Sequence, residues 1–185
     1  MIEIECKGEK VLLKSEPKDL TLRDLVEISK LLNTKKETVL CYVDVVEYLG
    51  GKKLADNISD DDLTFFMENL QINSTDNKII SHFELNGKTY RINVKGSKIL
   101  ISARELALME RLITKEEKWV HLVFAMLYKD ESMNTNDHLN MGHIKKKAEL
   151  FMDNITCDIA TPVIVRASKK VIDNVEKMAK SIAKS

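Results

Sequence analysis

A β-hairpin signal occurs twice in the sequence, and each time a run of amphipathic helical patterns follows it. The first hairpin covers residues 2–13 and turns at Lys7-Gly8; the second covers residues 82–94 and turns at Asn86-Gly87. Apolar and polar side chains alternate on both sides of each turn, as strands with one buried face require. Asn-Gly between alternating runs is a strong hairpin signal, because both turn residues adopt positive φ. An internal repeat therefore constrains the fold more than any other feature.

A helix-capping pattern follows each hairpin at the same distance. Thr21 with Asp24, and Ser102 with Glu105, each place a carboxylate three residues after a hydroxyl, and the two pairs are 81 residues apart. In a capping box these two side chains satisfy backbone N–H groups at the start of a helix. The apolar stripes expected beyond the caps are Leu25, Ile28, Leu31 and Leu32 in one half, and Leu106, Met109, Leu112 and Ile113 in the other.

A second helix is predicted in each half. Thr34 with Glu37, and Thr114 with Glu117, repeat the capping spacing. The apolar runs beyond these pairs cover more than one face of each helix, which is typical of helices at the centre of a core. These runs are residues 39–43, where we expect Cys41 to be buried, and residues 119–127, where we expect a buried His121.

A third helix completes each half. Residues 66–70 match residues 151–155 at an offset of 85, so the second half contains about five extra residues, which we place in the polar stretch 130–140. Ser59, with Asp62 three residues on, is the expected cap of the first copy. Chance similarity between Leu-rich amphipathic helices is the alternative to duplication.

The predicted fold is a mostly-α α+β protein built from two similar lobes. Each lobe is a β-hairpin followed by about three helices, over residues 1–72 and 78–160. Residues 161–185 add a C-terminal basic helix, with Thr161 as N-cap and Pro162 as the first helical residue.

The C-terminal helix is the predicted partner-binding element. Its apolar stripe is Ile164, Val171, Val175, Met178 and Ile182. Its candidate partner-binding residues are Arg166, Lys169, Lys170, Lys177 and Lys180. The alternative is a surface helix whose basic side only meets water. The shorter run at residues 145–147, three lysines, is interpreted as a solvated helix face.

Charge is balanced over the whole chain but not between its halves. The formal net charge is zero, which disfavours general nucleic-acid binding because that affinity comes mainly from neutralised phosphates. Residues 1–75 carry a net charge of −5 and residues 76–185 a net charge of +5. Such halves can attract each other within one molecule or head to tail between neighbours. Two unrelated solvated surfaces would give the same numbers.

No pattern in the sequence predicts catalysis or a cofactor. Glycine-rich phosphate loops and a nucleophile elbow are absent, and the three cysteines are widely spaced, which favours reduced thiols in a cytoplasmic setting. His138, His143 and Cys157 form only a weak candidate for a metal site, because the histidine spacing does not suit one helix face. No apolar run approaches a membrane span, and the first residues lack a signal-peptide pattern. We expect a non-enzymatic protein with no cofactor, no small-molecule substrate and no membrane partner.

The order of these elements resembles small tail and virion proteins of large tailed bacteriophages, the crAss-like phages and their relatives. The residues that carry the resemblance are Leu20-Thr21-Leu22, the hairpin 83–94, and the apolar run 119–128 with the polar loop after it. The resemblance implies a structural subunit of the virion, made in the host cytoplasm: a tail-ring or portal-proximal connector that forms a homo-oligomer and contacts other tail or portal proteins. The alternative is a tail-assembly chaperone that is absent from the virion.

Overall fold

Helices make up most of the chain and short antiparallel hairpins make up the rest, so the protein is a mostly-α α+β protein. The computed structural model describes residues 1–34, 36–72, 78–115, 119–133 and 137–182, and for residues 177–182 it describes the backbone only. The elements of the first half are β1 (Ile2–Cys6), β2 (Glu9–Leu13), α1 (Leu22–Leu32), α2 (Thr38–Gly50), α3 (Lys52–Ala55) and α4 (Asp60–Asn69). Those of the second half are β3 (His82–Leu85), β4 (Lys88–Arg91), β5 (Val94–Lys95), β6 (Lys98–Ile99), α5 (Ala103–Lys115), α6 (Trp119–Leu127), β7 (Lys129–Asp130), a 3-10 turn (Asp137–Leu139), α7 (Met141–Met152) and α8 (Cys157–Ile182).

Both predicted hairpins form with the predicted turns. Lys7 and Gly8 have φ values of 50° and 78°, and Asn86 and Gly87 have 52° and 72°. Two consecutive positive φ values characterise the tight turn that matches the twist of paired strands. The second hairpin gains a third strand, because β7 pairs antiparallel with β4. The hairpin β5–β6 was not predicted, since strands of two residues are too short to show alternation.

Three of the six predicted helix caps are confirmed. Thr21 and Asp24 form a full capping box at α1, and Ser59 caps α4. At α5 the Ser102 amide donates to Glu105 Oε2 at 2.7 Å, and the Glu105 amide donates to Ser102 Oγ.

The two predicted caps of the second helices are wrong. The Thr34 hydroxyl donates to the Leu31 carbonyl at the end of α1, and the Thr114 hydroxyl donates to the Glu110 carbonyl inside α5. A threonine hydroxyl can bond backward to a carbonyl three or four residues earlier as readily as forward, and here it bonds backward. Helix α2 has Glu37 at its N-cap with no side-chain hydrogen bond, and Glu117 lies outside the described residues.

One hydrophobic core contains residues from both halves, and α6 runs through it. Every side chain from His121 to Leu127 is buried, and α6 contacts α1, α5, α7 and α8. Five aromatic rings, including Phe124 of α6, pack together, with centroid distances of 4.7 to 6.5 Å. They are Phe83, Tyr90, Phe124, Tyr128 and Phe151. The predicted central position of α6 is therefore confirmed.

Helix α2 is not central, contrary to the prediction. Its buried side chains are Cys41, Val45 and Val46, while Val39 is 58% exposed and Leu40 is 51% exposed. The helix packs on α1, α3, α4 and β2, and these contacts leave Val39 and Leu40 exposed. The burial predicted for Cys41 is confirmed.

Helix α8 begins five residues before the predicted start at Pro162. The Cys157 amide donates to the Leu20 carbonyl at 2.8 Å, and the Asp158 amide donates to the Pro17 carbonyl at 3.2 Å. These carbonyls satisfy N–H groups that a side-chain cap otherwise satisfies. Pro162 lies inside the helix, and the Thr161 hydroxyl donates to the Ile72 carbonyl instead of capping a helix.

The starts of α1 and α8 cross at one point that joins the two halves. Thr21 and Thr156 form an antiparallel bridge, and the Leu22 amide donates to the Ile155 carbonyl at 2.6 Å. Both halves follow the predicted order of a hairpin and three longer helices. A duplication that underlies this order, with lobes at residues 1–72 and 78–160, stays a prediction.

Candidate partner-binding surface

Helix α8 has two parts that differ in burial. On its first part, the apolar residues that face the core are buried: Cys157, Ala160, Val163, Ile164, Ala167 and Val171. Beyond Val171, Ile172 is 57% exposed and Val175 is 45% exposed. The 11 residues from Ile172 to Ile182 remain helical and span about 16 Å at 1.5 Å per residue. We call this second part the α8 end.

The apolar stripe of α8 continues into the α8 end without a break. Val171, Val175, Met178 and Ile182 are separated by four, three and four residues, the spacing at which one helix packs along another. Val171 is buried in the core, whereas Val175 has no such cover. Burying a Val, Leu or Ile side chain stabilises a protein by about 1.5–3 kcal/mol, so the exposure of Val175 on this stripe favours association.

The predicted partner-binding cations fall into three groups. Lys169 is exposed, as a partner-binding residue must be. Lys170 has an internal role, because its Nζ donates to the Ile99 carbonyl of β6 at 3.2 Å, and Arg166 is half-buried. Lys177 and Lys180 lie on the α8 end, and their side chains are outside the described part of the chain. Their role as a set stays a prediction.

A groove of about 580 Å³ lies beside the first part of α8, between α1 and α6. Its apolar lining comes from all three helices: Leu25, Val26, Trp119, Val120, Ile164 and Val165. Ser29 and Lys30 of α1 and Thr161 of α8 add polar groups to the lining. Sequence reasoning missed this groove, because α1, α6 and α8 each carry an apolar pattern that a buried helix would also show.

A second exposed apolar face lies on α2 and is acidic. Val39, Leu40, Val43 and Glu47 are three or four residues apart and therefore share one side of the helix, which we call the α2 face. Val43 is half-buried, and the carboxylate-bearing Glu47 is exposed. This face belongs to the half with a net charge of −5, whereas α8 belongs to the half with +5.

The three residues of the weak metal-site candidate take part in different contacts. The Cys157 thiol lies at the crossing of α1 and α8, where it donates to the Thr21 carbonyl at 3.3 Å and burial raises its pKa to about 12. His138 Nε2 lies 3.4 Å from Glu105 Oε1, and His143 Nδ1 lies 3.4 Å from the Asp137 carbonyl. In the part of the chain that the structure describes, no group of three or more His, Cys, Asp or Glu side chains is arranged to hold a metal ion.

No protein-family model, no curated protein and no solved structure matches this chain. The resemblance to tail and virion proteins of tailed phages therefore stays a prediction. Within the described residues, no helix combines the length and the apolar composition that a membrane span needs.

Proposed function

We propose that this protein is a non-enzymatic structural subunit of a bacteriophage particle, a tail-ring or portal-proximal connector that assembles with copies of itself. The observation that carries the proposal is the α8 end, where the helix continues past the core and leaves the apolar side chains of Ile172 and Val175 exposed. The element order and the resemblance stated above supply the phage context. Localisation in the virion and contacts with other tail or portal proteins are parts of the same proposal.

The occupant we propose for the α8 end is the α2 face of a neighbouring copy. The α8 end is apolar and belongs to a helix with five basic residues from Arg166 to Lys180 against Asp173 and Glu176, and the α2 face is apolar and acidic. Contact between two different surfaces of one subunit is a heterologous interface, which closes into a ring when the rotation allows it. The α8 end alone carries Asp173 and Glu176 against Lys177 and Lys180, so pairing of two α8 ends is the competing contact that the experiment has to separate from the head-to-tail one.

The test is a pair of complementary variants followed by light scattering after size-exclusion chromatography. Variant A replaces Ile172 and Val175 with Ser; variant B replaces Val39 and Leu40 with Ser. We expect the wild type to form a defined oligomer larger than a dimer and each variant alone to be monomeric. A mixture of A and B retains one intact surface of each kind, so it should form a 1:1 dimer and nothing larger.

Matched controls separate this interface from general loss of apolar surface. Ile80→Ser removes a side chain of comparable exposure, 38%, outside both surfaces, and should leave the oligomer unchanged. A monomeric wild type overturns self-assembly. A variant B that still dimerises by itself overturns the head-to-tail contact in favour of α8 ends that pair with each other.

The second candidate is a tail-assembly chaperone, and the groove between α1, α6 and α8 favours it. An open groove with an apolar lining suits apolar side chains of another protein. The protein inventory of purified particles distinguishes the two candidates. A structural subunit is found in mature particles in fixed stoichiometry, whereas a chaperone occurs in infected cells and is missing from particles.

A further inference from the structure

A polar pocket of about 530 Å³ lies between α7 and the β3–β4 hairpin. One wall is the side of α7 that carries His143, Lys146 and Lys147, residues spaced by three and four positions. The opposite wall is formed by Lys88 and Tyr90 of β4. The volume lies within the range of ordinary small-molecule sites, roughly 300–1,000 Å³.

Lys147 is the innermost cation of this pocket. The residue is only 9% exposed, although the run 145–147 predicted a solvated face, so that interpretation is wrong for this residue. Its Nζ donates to the Tyr128 carbonyl at 2.7 Å, just beyond the end of α6. An ammonium group has three N–H donors, and this bond uses one of them. Burial lowers the pKa of Lys147 to about 8, so a nearby anion would stabilise its charged form.

Cations outnumber carboxylates among the residues that line the pocket. The only lining carboxylate in the described chain is Asp130, against three lysines. Both oxygens of Asp130 already have partners: Oδ2 accepts from Lys88 Nζ at 2.8 Å, and Oδ1 accepts from the Ser132 amide and hydroxyl. The remaining positive charge at this pocket comes from Lys146 and Lys147.

We propose that this pocket binds a small phosphate-bearing molecule, with the phosphate between Lys146 and Lys147 and the rest of the molecule against Tyr90. Lysine ammonium groups bind phosphate as point charges, and Lys146 and Lys147 both line this pocket. Tyr90 and Leu150 supply apolar surface in the same pocket. The proposal is independent of the surfaces that assemble copies of the chain, since α7 and β4 belong to neither the α8 end nor the α2 face.

The experiment measures binding of ribose 5-phosphate and inorganic phosphate by titration calorimetry, with ribose as the uncharged probe. We expect saturable binding of both phosphates and none of ribose. Lys146→Gln should weaken binding several-fold, and Lys147→Gln about ten-fold or more. Lys145→Gln is the matched control, because Lys145 is exposed on the same helix and does not line the pocket.

Each outcome decides the proposal. A loss of affinity in Lys145→Gln as large as in Lys146→Gln would mean non-specific attraction of anions to α7 and would overturn it. Absence of saturable binding up to millimolar phosphate would overturn it as well. Circular dichroism checks folding of the variants; if Lys147→Gln does not fold, the comparison of Lys146→Gln with Lys145→Gln still decides.

Discussion

Helices α2 and α6 hold the same place in their halves, yet one is an outer helix and the other is the centre of the core. Both follow a capped first helix, and both are apolar enough in sequence to predict burial on several sides. Helix α6 is surrounded by α1, α5, α7 and α8, whereas the elements that contact α2 leave Val39 and Leu40 exposed. Apolar composition therefore sets how much surface a helix can bury, and the neighbouring elements decide how much of that surface it does bury.

The two halves share a buried carboxylate at the start of the first helix. The capping carboxylates Asp24 and Glu105 are both buried, and each accepts a second donor from further along the chain. Asp24 Oδ1 accepts from the Tyr48 hydroxyl of α2 at 3.0 Å, and Glu105 Oε1 lies 2.8 Å from Lys129 Nζ, just after α6. The second donor thus comes from the second helix, α2, in the first half, and from β7, the strand after α6, in the second half.

The largest expected difference between α2 and α6 is in the cost of truncating an apolar side chain. Phe124→Ala removes a fully buried ring from α6 and should lower the free energy of unfolding by about 3–5 kcal/mol. Leu40→Ala on the exposed side of α2 should change it by about 0.5 kcal/mol or less. Urea unfolding followed by circular dichroism measures both. Similar losses of unfolding free energy would mean that Leu40 is covered in solution. If the cover is the proposed assembly through the α2 face, the loss caused by Leu40→Ala should depend on protein concentration.

The next largest difference is expected between the capping carboxylates Glu105 and Asp24, in the loss of unfolding free energy when each is replaced by its amide. Burial alone would raise the pKa of Glu105, but hydrogen bonds from Lys129 and Ser102 outweigh it and hold the pKa below 4.5. Glu105→Gln should lower the free energy of unfolding by about 2–3 kcal/mol, because it removes a charged hydrogen-bond acceptor from a buried site. Asp24→Asn should lower it by about 1 kcal/mol, because Lys14, the ion-pair partner of Asp24, is partly exposed to water. The stabilisation by Glu105 is present above pH 4.5 and is lost as the pH falls through its lower folded-state pKa.

Urea unfolding of the wild type and Glu105→Gln from pH 7 down to pH 3 measures this loss. The difference in unfolding free energy between the two proteins should shrink below pH 4.5. A difference that stays constant over this range would show that the charge of Glu105 contributes nothing, and that only its hydrogen bond to the Ser102 amide matters.

The ends of the two helices should respond differently to alkaline pH. Helix α2 ends at Gly50 with Gly51 as its C-cap, whose φ of 87° suits glycine, whereas the buried ammonium of Lys147 donates to the Tyr128 carbonyl just after α6. Burial lowers the pKa of Lys147 from 10.5 to about 8, so the folded protein binds fewer protons than the unfolded chain between these values. Stability relative to Lys147→Gln should therefore rise between pH 8 and pH 10.5, by about 3 kcal/mol. A flat difference between wild type and variant would place the Lys147 amine in water.

Local signals predicted much of this fold, and contacts between distant segments account for what they missed. The turns at Lys7-Gly8 and Asn86-Gly87 and the caps at Thr21 and Ser102 depend on residues within a few positions, so they were predictable. The start of α8 was not, because its cap consists of backbone carbonyls at Pro17 and Leu20 that no residue type announces.

The candidate sites follow the same rule. The apolar and basic pattern of α8 was visible in the sequence, but the point at which its stripe leaves the core depends on where the other helices end. The pocket beside α7 was invisible, because three consecutive lysines look alike in sequence and only the packing of α7 against α6 turns Lys147 inward.

The smallest expected effect concerns the ion pair that joins the two halves at the surface. Arg23 of α1 donates to both carboxylate oxygens of Asp153 after α7, at 2.5 and 2.9 Å, and this guanidinium lowers the pKa of Asp153. Both side chains are well exposed, so Asp153→Asn should cost less than about 1 kcal/mol, and less again at high salt. The junction itself depends on the backbone bonds between residues 20–22 and 155–157 and on the fully buried Leu20 and Leu22. A loss above about 2 kcal/mol in urea unfolding would mean that this exposed pair, and not the buried crossing of α1 and α8, holds the halves together.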